Sequence, residues 1–339
     1  MKKKPYIERI DPPAALPGGE VRIEGQHFMT NGSRSVVAFD DQRGHLVACA
    51  DRYLVATVPP EVTQGEIRVI LGSLESDPVR IVVATLLADN LHPVSNPVVD
   101  KEGNIFSTFS GSRGQKVETS VYKISQGVKT SFISDLMNAS GLAFNSEGEL
   151  FVSSRFDGMI YRVLSPSNLE VYAKGMGVAT GMVFDAADNL FVGDRSGTVF
   201  KIDTERKIFV FATLEPSVSA YHMTFDADGN LYVTGPTIGC FDSVHRISTN
   251  GEVGSFFSGL GRPQGMAFDP QGNLLVAASL HGLKGIVRIT PDLQVSTVVS
   301  GAGIVGLALD PTSPADLIVA TQDSLFRLKM AWASALSVN

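Results

Sequence analysis

GMVFDAADNLFVG at residues 181–193 and HMTFDADGNLYVT at 222–234 are two copies of one phrase. Four more copies flank them: NPVVDKEGNIFST at 96–108, GLAFNSEGELFVS at 141–153, GMAFDPQGNLLVA at 265–277 and GLALDPTSPADLIVA at 306–320. Anchored on Asp100, Asn145, Asp185, Asp226, Asp269 and Asp310, the copies are spaced by 45, 40, 41, 43 and 41 residues. Each copy reads as a short apolar strand, a turn opened by Asp or Asn, and a second short strand. The Asp or Asn side chain bonds the backbone two residues on, and glycine late in the turn tolerates positive φ. A second phrase follows every first one: VYKIS (121–125), IYRVL (160–164), VFKID (199–203), VHRIS (244–248), IVRIT (286–290) and LFRLK (325–329). These alternate apolar and polar residues, as half-buried strands do. A fourth apolar stretch completes most units, for example FVFAT at 209–213 and VSTVV at 295–299. Four strands in a unit of about 40 residues is a β-propeller blade. Six units over 85–339 predict a six-bladed propeller.

The sixth unit lacks a fourth strand, because only MAWASALSVN follows LFRLK. VVATLLADN at 82–90 has strand character and precedes the first unit, so it is expected to supply that outer strand and close the ring.

Residues 1–84 follow another pattern. EVRIEG, SVVAF, YLVATV, EIRVIL and VRIVVA are short strands separated by Pro and Gly turns, which predicts a small antiparallel sandwich. PYIERIDPPAALPGGEVRIEGQHF at 5–28 and YLVATVPP at 53–60 resemble IPT/TIG domains, which are immunoglobulin-like. The chain therefore reads as all-β, with an immunoglobulin-like unit in front of the propeller.

The remaining composition narrows the function. The 339 residues carry a net charge of −7, and after Lys2-Lys3-Lys4 there is no basic run of the kind a polyanion-binding surface needs. Nucleic acid is not an expected partner. No run reaches the roughly 18–20 apolar residues of a membrane-spanning helix, so no membrane partner is expected either. Two cysteines, Cys49 and Cys240, are too few for a disulfide framework or a thiolate cluster. The opening MKKKPYIERIDPP has no apolar stretch behind its basic residues, which points to the cytoplasm unless a leader has been removed.

The recurring phrase resembles the NHL repeat and the regucalcin/gluconolactonase propellers. That second resemblance implies a divalent metal on the propeller axis, held by a Glu, an Asn and an Asp just before the inner strands. Here the corresponding column reads Ser95, Ser140, Thr180, Tyr221, Gln264 and Val305. It holds no carboxylate, whereas a hard cation wants anionic oxygens. No metal and no other cofactor is expected. A likeness to virginiamycin-type lyases would call for paired His and Glu near the axis, and only His222 and His281 approach that. G-x-S-x-G, Gly-rich phosphate loops and H-E-x-x-H are absent from the sequence.

A second ring of candidates comes from loops joining the second and third strands of each blade. Arg155 and Arg195 lie ten residues after their anchors and so occupy equivalent places, with Arg113 close to the same register. Guanidinium forks suit carboxylates and phosphates, although Asp157 and Asp194 beside them offer internal partners. The axial mouth is therefore expected to be built from Ser140, Thr180, Tyr221, His222 and Gln264, with Arg155, Arg195 and His281 around it. His222 stands where the repeat has glycine, and with an ordinary imidazole pKa of about 6.5 it is the weak candidate for a base. The expected function is binding of a small polar or anionic ligand, or of a protein partner, at this face without the metal site. The alternative is a lactonase-type hydrolase or lyase with a rebuilt active site.

Overall fold

The computed structural model describes residues 3–330, apart from 31, 32, 113 and 240. The described chain is all strands, turns and loops, with no helix long and apolar enough to cross a membrane. Five four-stranded antiparallel sheets and one six-stranded sheet account for most of it, and their inner strands touch in cyclic order: Val98–Val99, Ala139–Phe144, Ala179–Phe184, His222–Phe225, Met266–Phe268 and Ile304–Asp310, which returns to the first. That cycle is a β-propeller.

Each part of the repeated phrase has a visible structural role. Asp185 Oδ1 accepts from the backbone N–H of Ala187 and Asn189 at 2.9 and 2.8 Å, while its Oδ2 accepts from the Asn189 amide at 2.8 Å. Asp100, Asp226 and Asp269 repeat that pattern. The anchor aspartates are consumed by turns and are not available for chemistry. The aromatic residue of the second strand explains how blades adhere. Phe151 meets Tyr172 of its own outer strand and Phe184 of the next blade's inner strand edge-on, each at 4.9 Å between ring centroids. Phe106, Phe191 and Tyr232 make the same two contacts in blades one, three and four. Edge-to-face pairs of this kind add about 0.5–1.5 kcal/mol each beyond area burial.

The outer strand of the sixth blade is Thr85–Ala88, paired antiparallel with Leu325–Lys329. Val82 and Val83, assigned by sequence to that same strand, lie elsewhere. They pair in parallel with Ala14–Ala15, which in turn pairs in parallel with Val295–Ser300, the outer strand of blade five. Blade five is thus a six-stranded sheet whose last two strands come from the N-terminal segment. Ala14, Leu16 and Ala84 share one core with Leu275, Val299, Leu317 and Leu328 of blades five and six. Most of the remaining N-terminal strands form two antiparallel sheets around a separate core that includes Val21, Ile23, Val37, Phe39, Leu54 and Ile67. The described N-terminal strands therefore carry a core of their own and are also built into the propeller's rim. Cys49 is a free thiol, and Cys240 lies outside the described residues.

Candidate functional site

Antiparallel order puts two sets of loops on one face: those entering the inner strands and those joining second to third strands. On that face, among blades one to four, opens a cavity of about 110 Å³. Its floor is Ser140 and Thr180, at the starts of the second and third inner strands. Val94 closes it on one side, and Val218–Ser219–Ala220, the connection into blade four, closes the other. Arg155 and Arg195 form the wall.

Backbone crowding brings the floor together. A Cβ on Gly141 would lie 2.3 Å from the Thr180 carbonyl oxygen, and one on Gly181 would lie 2.0 Å from that of Tyr221. Only glycine lets the inner strands pass so closely, and the residues just before those glycines are drawn around the axis. Hydrogen bonds then lock them. Ser95 Oγ donates to the Ser140 carbonyl at 2.7 Å, Thr180 Oγ1 donates to the Gly193 carbonyl at 2.9 Å, and the Tyr221 N–H donates to Thr180 Oγ1 at 3.1 Å. Ser140 Oγ is completely buried and has no partner among the described residues.

Neither arginine has a carboxylate partner among the described residues. Arg155 Nη2 donates to the Gly111 carbonyl at 2.9 Å, while its buried Nε is unpartnered. Arg195 reaches the carbonyls of Ser217 and Val218 at 3.4 and 3.0 Å. The neighbouring acids are engaged elsewhere: Asp157 accepts from the Met159 N–H and the Tyr161 hydroxyl, and Asp194 from the Val178 N–H and the Ser196 hydroxyl. Burial, and secondarily the positive charge of Arg195, holds the Arg155 pKa below the ordinary guanidinium value. Two cations, hydrogen-bonded among the described residues to neutral carbonyls, line one cavity, so the charged groups it presents are positive.

Four of the eight sequence candidates, Ser140, Arg155, Thr180 and Arg195, meet here. The other four do not. The Tyr221 ring lies between Gly193 and Gly235, where added Cβ atoms would come within 3.2 Å of its Cγ and 2.4 Å of its Cε1. Its hydroxyl donates to the Glu215 carbonyl, and burial, aided by Asp194 and Glu215, pushes its pKa up to about 12. His222 is not at the mouth. It is 1% exposed, both ring nitrogens lack partners among the described residues, and burial lowers its pKa to about 3. The expectation of a base titrating near 6.5 fails, because desolvation dominates at this position. Gln264 uses its backbone, donating to Ala277 and accepting from Thr234, and its side chain does not line the cavity. His281 is exposed at a two-residue hairpin turn with Gly282, their φ values being 50° and 88°. Arg113 lies outside the described residues.

One relevant residue was not singled out from the sequence. Asn96 occupies the repeat's glycine position in blade one, as His222 does in blade four. It donates to the Met266 carbonyl at 3.2 Å and accepts from the Leu307 N–H at 3.1 Å, joining blades five and six. Its departure from glycine was the available signal.

The donor set does not suit the divalent metal that gluconolactonase propellers imply. The floor offers hydroxyls, one of them already spent on Gly193, and the wall offers two cations that would repel another. Among the described residues no three His, Cys, Asp or Glu side chains cluster as metal ligands.

No protein-family model matches the chain, and neither does any curated protein. Solved structures do share its fold. An auxiliary nutrient binding protein from Bacteroides thetaiotaomicron is 13% identical with a TM-score of 0.55, over 96% of this chain and 98% of that one. A gluconolactonase from Xanthomonas campestris is 13% identical with a TM-score of 0.60, over 74% and 90%. An inactive virginiamycin B lyase variant from Staphylococcus aureus is 14% identical with a TM-score of 0.51, over 97% and 96%. At such identities the likeness is one of architecture: the chain is an all-β protein built on a propeller like those of gluconolactonase-like and lyase proteins.

Proposed function

We propose that the protein binds a small anion, a carboxylate or a phosphate, at the mouth formed by Ser140, Thr180, Arg155 and Arg195. The observation that carries this reading is the pair of guanidiniums at one small cavity with no carboxylate paired to them among the described residues. An anion would gain charge-assisted hydrogen bonds of about 1.5–3 kcal/mol each from the two guanidiniums. A protein partner would use the same chemistry by inserting an acidic side chain. That a neighbour matched along nearly its whole length is called a nutrient binding protein agrees with a binding role. The propeller is read as NHL/gluconolactonase-like, and residues 1–84 as an IPT/TIG-like unit bracing its rim.

The alternative, a lactonase-type hydrolase or lyase, draws on the likeness to gluconolactonase and lyase propellers. It needs a base at the mouth, and His222 is buried and held neutral far below its ordinary pKa. Binding is the better-supported reading.

Isothermal titration with acetate and with inorganic phosphate tests it on the wild type, Arg155→Ala and Arg195→Ala, with melting curves confirming that the variants fold. Either anion should bind the wild type, and each substitution should weaken it by at least tenfold. Equal binding to all three folded proteins, or none to the wild type, refutes the proposal.

A further inference from the structure

The cavity is smaller than the roughly 150 Å³ that holds a benzene ring. At about 110 Å³ it takes a charged head group, so the rest of any larger ligand must lie on the rim. The rim is lopsided. Among the described residues, large apolar side chains exposed on the loops of this face are Phe156, Val218, Ile238 and Phe241, all on blades two to four or the connection between three and four. Phe156 follows Arg155 in the chain, and Val218 itself lines the cavity.

Ile238 and Phe241, 93% and 80% exposed, belong to the loop joining the second and third strands of blade four. That loop is fastened beside the cavity, since Pro236 accepts from the Val218 N–H at 2.8 Å and from Ser217 Oγ at 3.0 Å. It is closed by polar atoms of its own: Thr237 donates to Asp242 through N–H and hydroxyl at 3.0 and 2.7 Å. Folding of the loop therefore does not depend on its two apolar side chains. They are presented to solvent next to a cavity lined by two cations, at an exposure that is costly unless something covers them.

We propose that the ligand is an amphipathic carboxylate, its head between Arg155 and Arg195 and its alkyl or aryl body on Val218, Ile238 and Phe241. This rests on the anion-binding reading above and narrows its ligand class. A body of this kind matches both surfaces at once, whereas a purely polar anion would leave the rim bare.

The test compares acetate, hexanoate and neutral hexanol by isothermal titration on the wild type and on the double variant Ile238→Ser/Phe241→Ser. Each methylene buried is worth about fourfold in affinity. Hexanoate should therefore bind the wild type at least roughly tenfold more tightly than acetate, and hexanol far more weakly than hexanoate. In the double variant the hexanoate-to-acetate ratio should fall towards one, with the melting temperature showing that the fold is kept. A wild type that binds acetate and hexanoate equally overturns the amphipathic ligand and leaves anion binding standing. So does a double variant that keeps the preference. No carboxylate binding at all overturns the amphipathic carboxylate, and hexanol binding as well as hexanoate overturns both readings.

Discussion

Acid should expose the cost of burying His222, and the effect can be sized. In the folded chain burial holds its pKa at about 3, against an ordinary value of 6.5. As the pH falls below 6.5 the unfolded chain takes up a proton at this residue and the folded chain does not. The stability linked to His222 is complete above pH 6.5 and drains away as the pH approaches 3. Each pH unit in that window costs about 1.4 kcal/mol. From pH 7 to pH 5 the loss comes to about 2 kcal/mol, and to pH 4 about 3 kcal/mol. These are large fractions of an ordinary domain stability of about 5–15 kcal/mol. Urea unfolding at pH 7 and pH 5 measures it, with His222→Leu and His222→Gly as references. Leucine fills most of the space without titrating, and glycine restores the residue the repeat carries at Gly141, Gly181, Gly265 and Gly306. Other groups titrate in the same range, among them His245, whose pKa burial also lowers. They are common to all three proteins and cancel in the comparison. Both variants should lose about 2 kcal/mol less than the wild type between the two pH values. If wild type and variants lose the same amount, the imidazole is reached by water or by a partner, and the burial argument is wrong.

Two further outcomes are expected. Removing residues 1–90 strips Thr85–Ala88 from blade six and Ala14–Ala15 from blade five, so fragment 91–339 should melt lower and aggregate through two bare strand edges. Leu16 alone, lost from that shared core, is worth about 2–5 kcal/mol, and a fragment that melts with the intact protein contradicts this. Gly181→Ala sets a methyl group 2.0 Å from the Tyr221 carbonyl oxygen, which is backbone and cannot swing aside. A loss of about 1–3 kcal/mol or more is expected by chemical denaturation, and a neutral result would mean that the inner strands can separate freely.

The propeller was legible because its repeat records physical requirements at fixed offsets. Asp opens the same hydrogen-bonded turn in four blades, and the aromatic residues of the phrase meet across each junction from blade one to blade five. The ring's missing strand was legible too, since an incomplete sixth unit left LFRLK without its fourth neighbour, and Thr85–Ala88 pairs there. The parallel pairing of Ala14–Ala15 with Val295–Ser300 was not. Two-residue strands carry no period, and nothing in PPAALP announces a partner almost 300 residues away.

The site shows where such reading stops. Repetition tells which face a position belongs to, and Ser140, Thr180, Arg155 and Arg195 line one cavity. It does not tell which way an exceptional residue turns. Successive side chains of a strand point to opposite sides, so adjacent Tyr221 and His222 were poor candidates for one mouth, and His222 faces a packed interior. Tyr221 is the more instructive case. Its column otherwise begins Ser95, Ser140, Thr180, small side chains that fit beside the axis, and a phenol ring does not fit there. The ring needs space between blades, and that space exists where one residue of a second strand and one just past the next blade's second strand lack a Cβ. Those residues are Gly193 and Gly235, both visible in the sequence within thirty positions of the tyrosine. A bulky residue in a column of small ones, flanked by such glycines at neighbouring strands, is the mark of a side chain packed between blades and withheld from the ligand.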